Sequence, residues 1–141
     1  MQVREIMTPH AEYIGPKTTL IQAARKMVDL DCGFLPIADS AGAKLKGVLT
    51  DRDIVVRAVA EGKSMTNTPA DEIKSERVLY CFEDDSVEEA ASSMEECQVY
   101  RLVVLDNRES KKLTGIITLG DISRSGEKDL VGKTAPEVAE S

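Results

Sequence analysis

Residues 6 to 53 of this 141-residue chain recur further along it. Displaced by 67 places, Ile6 falls on Ile73, Thr19 on Ser86, Ala23 and Ala24 on Ala90 and Ala91, Met27 on Met94, Leu35 on Leu102, Ile37 on Val104 and Asp39 on Asp106. The displacement then grows to 68, so that Gly47, Thr50 and Asp53 meet Gly115, Thr118 and Asp121. One extra loop residue between Asp106 and Gly115 accounts for the slip. Self-similarity at this scale outranks any single motif as a guide to architecture. It divides the chain into repeat 1 (1–62), a linker (63–69), repeat 2 (70–125) and a polar C-terminal tail (126–141), expected to be mobile or to pack on a partner.

Each copy predicts the same elements. A short extended stretch opens it. Thr19 with Gln22, and Ser86 with Glu89, then fit the S/T-x-x-E/Q capping box that starts a helix. Behind the first box Leu20, Ala23, Ala24, Met27 and Leu30 recur with helical spacing, and Val87, Ala90, Ala91 and Met94 repeat the stripe, which reads as core. Two apolar runs follow in each copy, FLPIA and KGVLT, then RLVVL and LTGIIT, and read as β-strands. A last helix starts near Asp51 and stops around Gly62, a plausible C′ glycine, with a counterpart starting near Asp121. The fold class is α+β, a β-α-β-β-α unit written twice.

Composition narrows the function. Eighteen basic and 25 acidic residues give a net charge of −7, which repels a phosphate backbone, and five aromatic residues without Trp offer little for stacking bases. Nucleic acid is therefore not the expected partner. A small phosphorylated ligand remains compatible, because a few arginines can make a locally positive spot. Cys32, Cys81 and Cys97 lack zinc-site spacing and read as buried free thiols. Neither a signal peptide nor an apolar run of about 20 residues is evident, so a cytoplasmic protein without a membrane span is expected.

The chemistry-bearing motif is the one that closes each repeat, GVLTDRD from Gly47 to Asp53 and GIITLGD from Gly115 to Asp121. Two readings stand side by side. Thr50-x-x-Asp53 and Thr118-x-x-Asp121 suit a helix N-cap with a carboxylate in the first turn. They equally suit a nucleoside phosphate, with the hydroxyl on phosphate and the acceptor-only carboxylate on the two ribose hydroxyls.

These motifs, with Ile6-Met7-Thr8, Leu35-Pro36 and Asp39, resemble the CBS (cystathionine-β-synthase-type) domain pair over residues 3 to about 125. GVLTDRDIVVRA is similar to short stand-alone bacterial members. The resemblance implies a pseudo-twofold pair of repeats, often associated into homodimers, with clefts that take AMP, ADP, ATP or S-adenosylmethionine as regulatory ligand, not as cofactor. It implies that Thr50, Asp53, Thr118 and Asp121 contact phosphate and ribose. Tyr100 to Asp106, YRLVVLD, resembles the HRLVVVD strand of the AMP-activated protein kinase γ subunit, where the two residues before Leu contact phosphate; these are Tyr100 and Arg101 here. The copies differ: Arg52 stands where repeat 2 has Gly120, and Arg101 where repeat 1 has Phe34, and both arginines are candidate contacts to one nucleotide. Ile73-Lys74-Ser75 departs from the IMT pattern, and Val103 from the Leu-Pro pattern.

The function that follows is a non-catalytic regulatory module acting on an unidentified effector protein. Two alternatives compete. One is a dimerisation module with empty clefts, using a helix face with Ile54, Val55, Ala58 and Val59. The other is a Mg²⁺-dependent DxD phosphotransferase built on Asp51 and Asp53, although repeat 2 has Leu119 at the first of these positions. His10, the only histidine, reads as a surface or cleft-edge residue, and Glu83, Asp84, Asp85, Glu88 and Glu89 as a solvated face matched to a helix dipole. No catalytic or metal-ligating residues are assigned.

Overall fold

The computed structural model describes residues 1–39 and 44–126. In chain order the elements are a 3₁₀ turn (Val3–Glu5), β1 (Thr8–Pro9), α1 (Leu20–Leu30), β2 (Phe34–Ala38), β3 (Leu45–Thr50) and α2 (Asp51–Asp53), which continues as a π-helix (Ile54–Val59). Then come α3 (Ala70–Ile73), β4 (Tyr80–Phe82), α4 (Val87–Cys97), β5 (Arg101–Leu105), β6 (Leu113–Thr118) and α5 (Leu119–Arg124). The polar tail lies, from residue 127, outside the described residues.

The capping signals set the two long helices. Thr19 Oγ1 accepts from the Gln22 amide at 3.4 Å, and Gln22 Oε1 accepts from the Thr19 amide at 3.0 Å. Ser86 and Glu89 make the same reciprocal pair at 3.1 and 3.2 Å. Both helices end at equivalent left-handed residues, Asp31 (φ 51°) and Gln98 (φ 55°). On α1, Leu20, Ala23 and Met27 are buried and Ala24 is half-buried, but Leu30 is 40% exposed, so the apolar stripe stops a turn earlier than its spacing predicts.

The openings do carry the expected extended pieces, Thr8–Pro9 in β1 and Ser75 bridged to Val48, each preceded by a turn that the sequence did not announce, 3₁₀ at residues 3–5 and a short helix at residues 70–73. One other expectation is corrected. The helix expected from Asp51 to Gly62 is α-helical for only three residues before its turns widen, with the Ala60 amide on the Val55 carbonyl and the Lys63 amide on the Ala58 carbonyl, both at 3.0 Å. Gly62 does terminate it, with φ 73°.

The described residues form two compact units, Glu12–Val78 on one hand and Met1–Ala11 with Leu79 onward on the other. In the second unit a four-stranded sheet has the order β1-β6-β5-β4, with β4 parallel to β5 and the other pairs antiparallel. In the first, β2 and β3 form an antiparallel hairpin flanked by bridges from Ile14 to Ile37 (parallel) and Ser75 to Val48 (antiparallel). Under the repeat displacement, Ser75–Val48 is the counterpart of Thr8–Ile116 in β1·β6. Each repeat thus lends its opening segment to the closing strand of the other.

Each unit has its own aliphatic core. Leu20, Leu35, Ile37, Leu49 and Ile73 centre the first, and Met94, Leu102, Val104, Ile117 and Ile122 the second. Of the cysteines, Cys81 is buried but Cys32 is half-buried and Cys97 exposed, which corrects the expectation of three buried thiols. Among the described residues no helix is long and apolar enough to cross a membrane.

Candidate functional site

The closing motif is built the same way twice. β3 ends on Thr50, whose Oγ1 accepts from the Asp53 amide at 3.0 Å while Asp53 Oδ2 accepts from the Thr50 amide at 3.0 Å. β6 ends on Thr118, and the corresponding bonds with Asp121 are 3.0 and 2.9 Å. The capping reading of both Thr-x-x-Asp pairs therefore holds. It does not exhaust the side chains. A hydroxyl has one proton and two lone pairs, and capping uses a lone pair, which leaves the O–H of Thr50 and Thr118 able to donate to a phosphate oxygen.

Strand register supplies the neighbours. The antiparallel pairing of β5 with β6 sets Arg101 opposite Thr118, and that of β2 with β3 sets Phe34 opposite Thr50. Directly opposed side chains lie about 5 Å apart at Cβ on the same face. The Leu119 amide bonds to the Tyr100 carbonyl at 2.8 Å and fixes the strand start against the helix start. Tyr100, Arg101, Thr118, Leu119, Gly120 and Ser123 line one hollow of about 350 Å³, within the range of small-ligand sites. Asp121, 6% exposed, does not line it but is tied to Thr118 by the reciprocal cap.

In the first repeat the equivalent hollow, about 520 Å³, is lined by Gly33, Asp51 and Val55, the counterparts of Tyr100, Leu119 and Ser123, and by apolar Ala24, Met27, Val28 and Ile54. A Cβ on Gly33 would fall 2.4 Å from Asp51 Oδ2, so the carboxylate occupies the place that a side chain takes in repeat 2. Of the seven residues predicted for the site, Tyr100, Arg101 and Thr118 share one hollow and Asp121 is bonded to Thr118, while Thr50, Arg52 and Asp53 belong to the other unit, Arg52 being exposed.

The two carboxylates are not equivalent. Asp121 has both oxygens engaged, Oδ2 by the Thr118 amide and Oδ1 by Arg124. Asp53 bonds the Thr50 amide through Oδ2 and has no partner for Oδ1 among the described residues. Asp51 accepts from the neighbouring Arg52 amide at 2.8 Å.

The sequence profile of the CBS domain matches residues 3–59 and 70–128. The chain belongs to the CBS domain family. Hypoxic response protein 1 of Mycobacterium tuberculosis is 36% identical to this CBS pair over 121 residues, 86% of this chain and 82% of that one. A crystal structure of hypoxic response protein I with two coordinated zinc ions has 35% identity and a TM-score of 0.77, covering 88% of this chain and 98% of its own. The CBS domain pair of MJ0100, in complex with 5′-methylthioadenosine and S-adenosyl-L-methionine, has 27% identity and a TM-score of 0.70 over 92% of this chain and 98% of its own. CBSX2 in complex with AMP has 25% identity and a TM-score of 0.75 over 91% of this chain and 97% of its own. In this CBS pair, no group of three or more His, Cys, Asp or Glu among the described residues is placed to hold a metal.

Sequence reasoning missed why the motif opens on glycine. A Cβ on Gly47 would meet the Ser75 carbonyl oxygen at 2.8 Å, and one on Gly115 would meet that of Thr8 at 2.6 Å. The exchanged opening segment runs directly over each glycine. The recurrence of the motif glycine, with a hydroxyl residue (Thr8, Ser75) at the matching place of each opening, was the available signal. Arg124 was also missed, because the repeat register aligns it with Val56 and so offers no matching residue.

Proposed function

We propose that this CBS pair is a non-catalytic regulatory module that binds an adenine-containing nucleotide and signals to an effector protein by conformational or oligomeric change. The observation that carries this reading is the hollow in which Arg101 and Thr118, opposed across β5 and β6, stand together with Tyr100. A guanidinium and a hydroxyl with a spare proton fit a phosphate, and charge-assisted bonds of this kind are worth about 1.5–3 kcal/mol. MJ0100 and CBSX2, which hold adenine-containing ligands, support the same class for this chain. Thr50 and Arg52 are the corresponding phosphate contacts of repeat 1, and Asp53, with its Oδ1 unpartnered among the described residues, takes ribose hydroxyls.

Calorimetry separates phosphate contacts from caps. Thr118→Ala weakens AMP by more than its effect on adenosine, since only AMP carries the group that the hydroxyl holds. Equal losses for the two ligands, or none, return Thr118 to capping alone.

Self-association is a second reading with an observation of its own. Val55, Val56 and Val59 are 58%, 46% and 57% exposed, whereas Ile54 and Ala58 of the same predicted face are consumed by the core. A homodimer through these valines gives a doubled mass in sedimentation, reduced by Val55→Ser with Val59→Ser.

A further inference from the structure

The two repeats each bring an arginine to the closing motif, but from different positions. Repeat 1 has Arg52 directly after Asp51 and Val56 one turn later; the register places Gly120 and Arg124 at those two positions in repeat 2. The structure shows what the exchange does. Arg124 folds back along α5 and its Nη2 donates to Oδ1 of Asp121, an ion pair in which the aspartate side chain is 6% exposed and the arginine side chain 74% exposed. Its path crosses Gly120: a Cβ there would lie 3.3 Å from Arg124 Nη1 and 3.5 Å from Thr118 Oγ1. The missing side chain at 120 is thus the space through which the guanidinium reaches the neighbourhood of Thr118, and Gly120 itself lines the Tyr100–Arg101–Thr118 hollow.

We propose that Arg124 is an anion-contacting residue of this hollow, and that Asp121 serves to aim it and not to hold ribose. Three features of the geometry support this. Each oxygen of Asp121 already holds a partner, Oδ2 the Thr118 amide and Oδ1 Arg124, and the residue is only 6% exposed, so its remaining lone pairs are poorly placed to meet a ribose entering from solvent. A guanidinium has five N–H donors, so one bond to Asp121 leaves donors for a phosphate. Its high exposure leaves that side of the group open to a ligand entering from solvent. The ligand class is a phosphate or pyrophosphate group, free or on a nucleoside. The two halves of the chain then divide the work, with the carboxylate of repeat 1 open to hydroxyls and that of repeat 2 committed to an arginine. This inference rests on the nucleotide-binding reading and extends it to a residue outside the motif.

The test is calorimetric titration of the full chain with AMP, adenosine and inorganic pyrophosphate, for the unaltered protein and for Arg124→Gln, Arg124→Lys and Asp121→Asn. Arg124 is on the surface, so Arg124→Gln folds, which a thermal melt checks. The expected result is a loss of at least tenfold for AMP and pyrophosphate in Arg124→Gln, less than twofold for adenosine, and partial recovery in Arg124→Lys. Asp121→Asn is expected to follow the same pattern more weakly. AMP binding that is unchanged in Arg124→Gln overturns the inference while leaving the nucleotide reading intact. Equal loss of AMP and adenosine in Asp121→Asn overturns it too, by making Asp121 the ribose acceptor. If the unaltered protein binds neither AMP nor pyrophosphate, both readings fall together.

Discussion

Substituting Gly115 by alanine places a methyl carbon 2.6 Å from the Thr8 carbonyl oxygen and 2.9 Å from Met7 Sδ. The thioether is the end of a flexible side chain and can turn away. The carbonyl cannot, because β1 is held to β6 through the Thr8–Ile116 and Pro9–Gly115 pairing. Overpacking of this kind costs about 1–3 kcal/mol, offset by the roughly 0.5–1 kcal/mol that alanine gains over glycine inside a strand. The net destabilisation is therefore about 0–2.5 kcal/mol, centred near 1, or a fall in Tm of up to roughly 10 °C at about 4 °C per kcal/mol for a chain of this size. Met7→Ala in the same background does not restore it, because the backbone clash remains. Gly15→Ala is the control: its nearest new contact is Thr18 Oγ1 at 3.8 Å, and it is expected to be neutral or stabilising by about 0.4–1 kcal/mol. Urea denaturation of the three variants reads the difference. If Gly115→Ala is as stable as Gly15→Ala, the account of the motif glycine as a close approach of the exchanged segment is refuted.

Other outcomes follow from single groups. Burial, and after it the charge of Asp85, push the Cys81 thiol up to about 12, so at pH 8 a thiol reagent labels exposed Cys97 rapidly and Cys81 only on unfolding; early labelling of Cys81 in native protein contradicts the packing. Met94, fully buried at 0% exposure, costs about 2–5 kcal/mol as alanine, against no measurable loss for Val28→Ser at 79% exposure, both read by denaturation. Burial alone would raise the Asp106 carboxyl, but the Ser110 hydroxyl, the Lys112 and Asn107 amides and the Lys112 charge outweigh it and hold the group below its ordinary value. A lowered carboxylate stabilises the fold above its unfolded pKa and loses that contribution as pH falls through the folded one. Asp106→Asn is therefore less stable than the parent at pH 7, with the gap closing below about pH 4; a gap that is constant from pH 7 to pH 3 contradicts the hydrogen-bond reading.

Much of the fold was legible because its signals are local. The capping boxes at Thr19 and Ser86 and the alternation of apolar runs act within a few residues, and the structure keeps them. The repeat carried the two strands of each copy, which the structure pairs as β2 with β3 and β5 with β6. What was not legible depends on contacts distant in sequence: the passage of Thr8 over Gly115 and of Ser75 over Gly47 joins residues from opposite repeats. The widening of the second helix from Ile54 to Val59 has no composition signal, since its apolar spacing fits an α-helix equally. At the proposed site, Thr50 and Thr118 stand out from the motif; the geometry shows their capping bonds, and the O–H that capping leaves over is what the proposed phosphate contact would use. The unequal state of Asp53 and Asp121 was invisible, because it turns on Arg124, which the repeat register hides opposite a valine.

The most direct test of the central claim is equilibrium unfolding of the full chain in the presence of AMP, ADP, ATP and S-adenosylmethionine. A ligand that binds only the folded state raises stability by about 2.7 kcal/mol at 100 times its Kd. A shift of that size with at least one of these ligands, diminished in Thr118→Ala and Arg101→Ala, is the result predicted for a nucleotide-sensing CBS pair. Unfolding curves that coincide with and without all four ligands, at millimolar concentration, would contradict it.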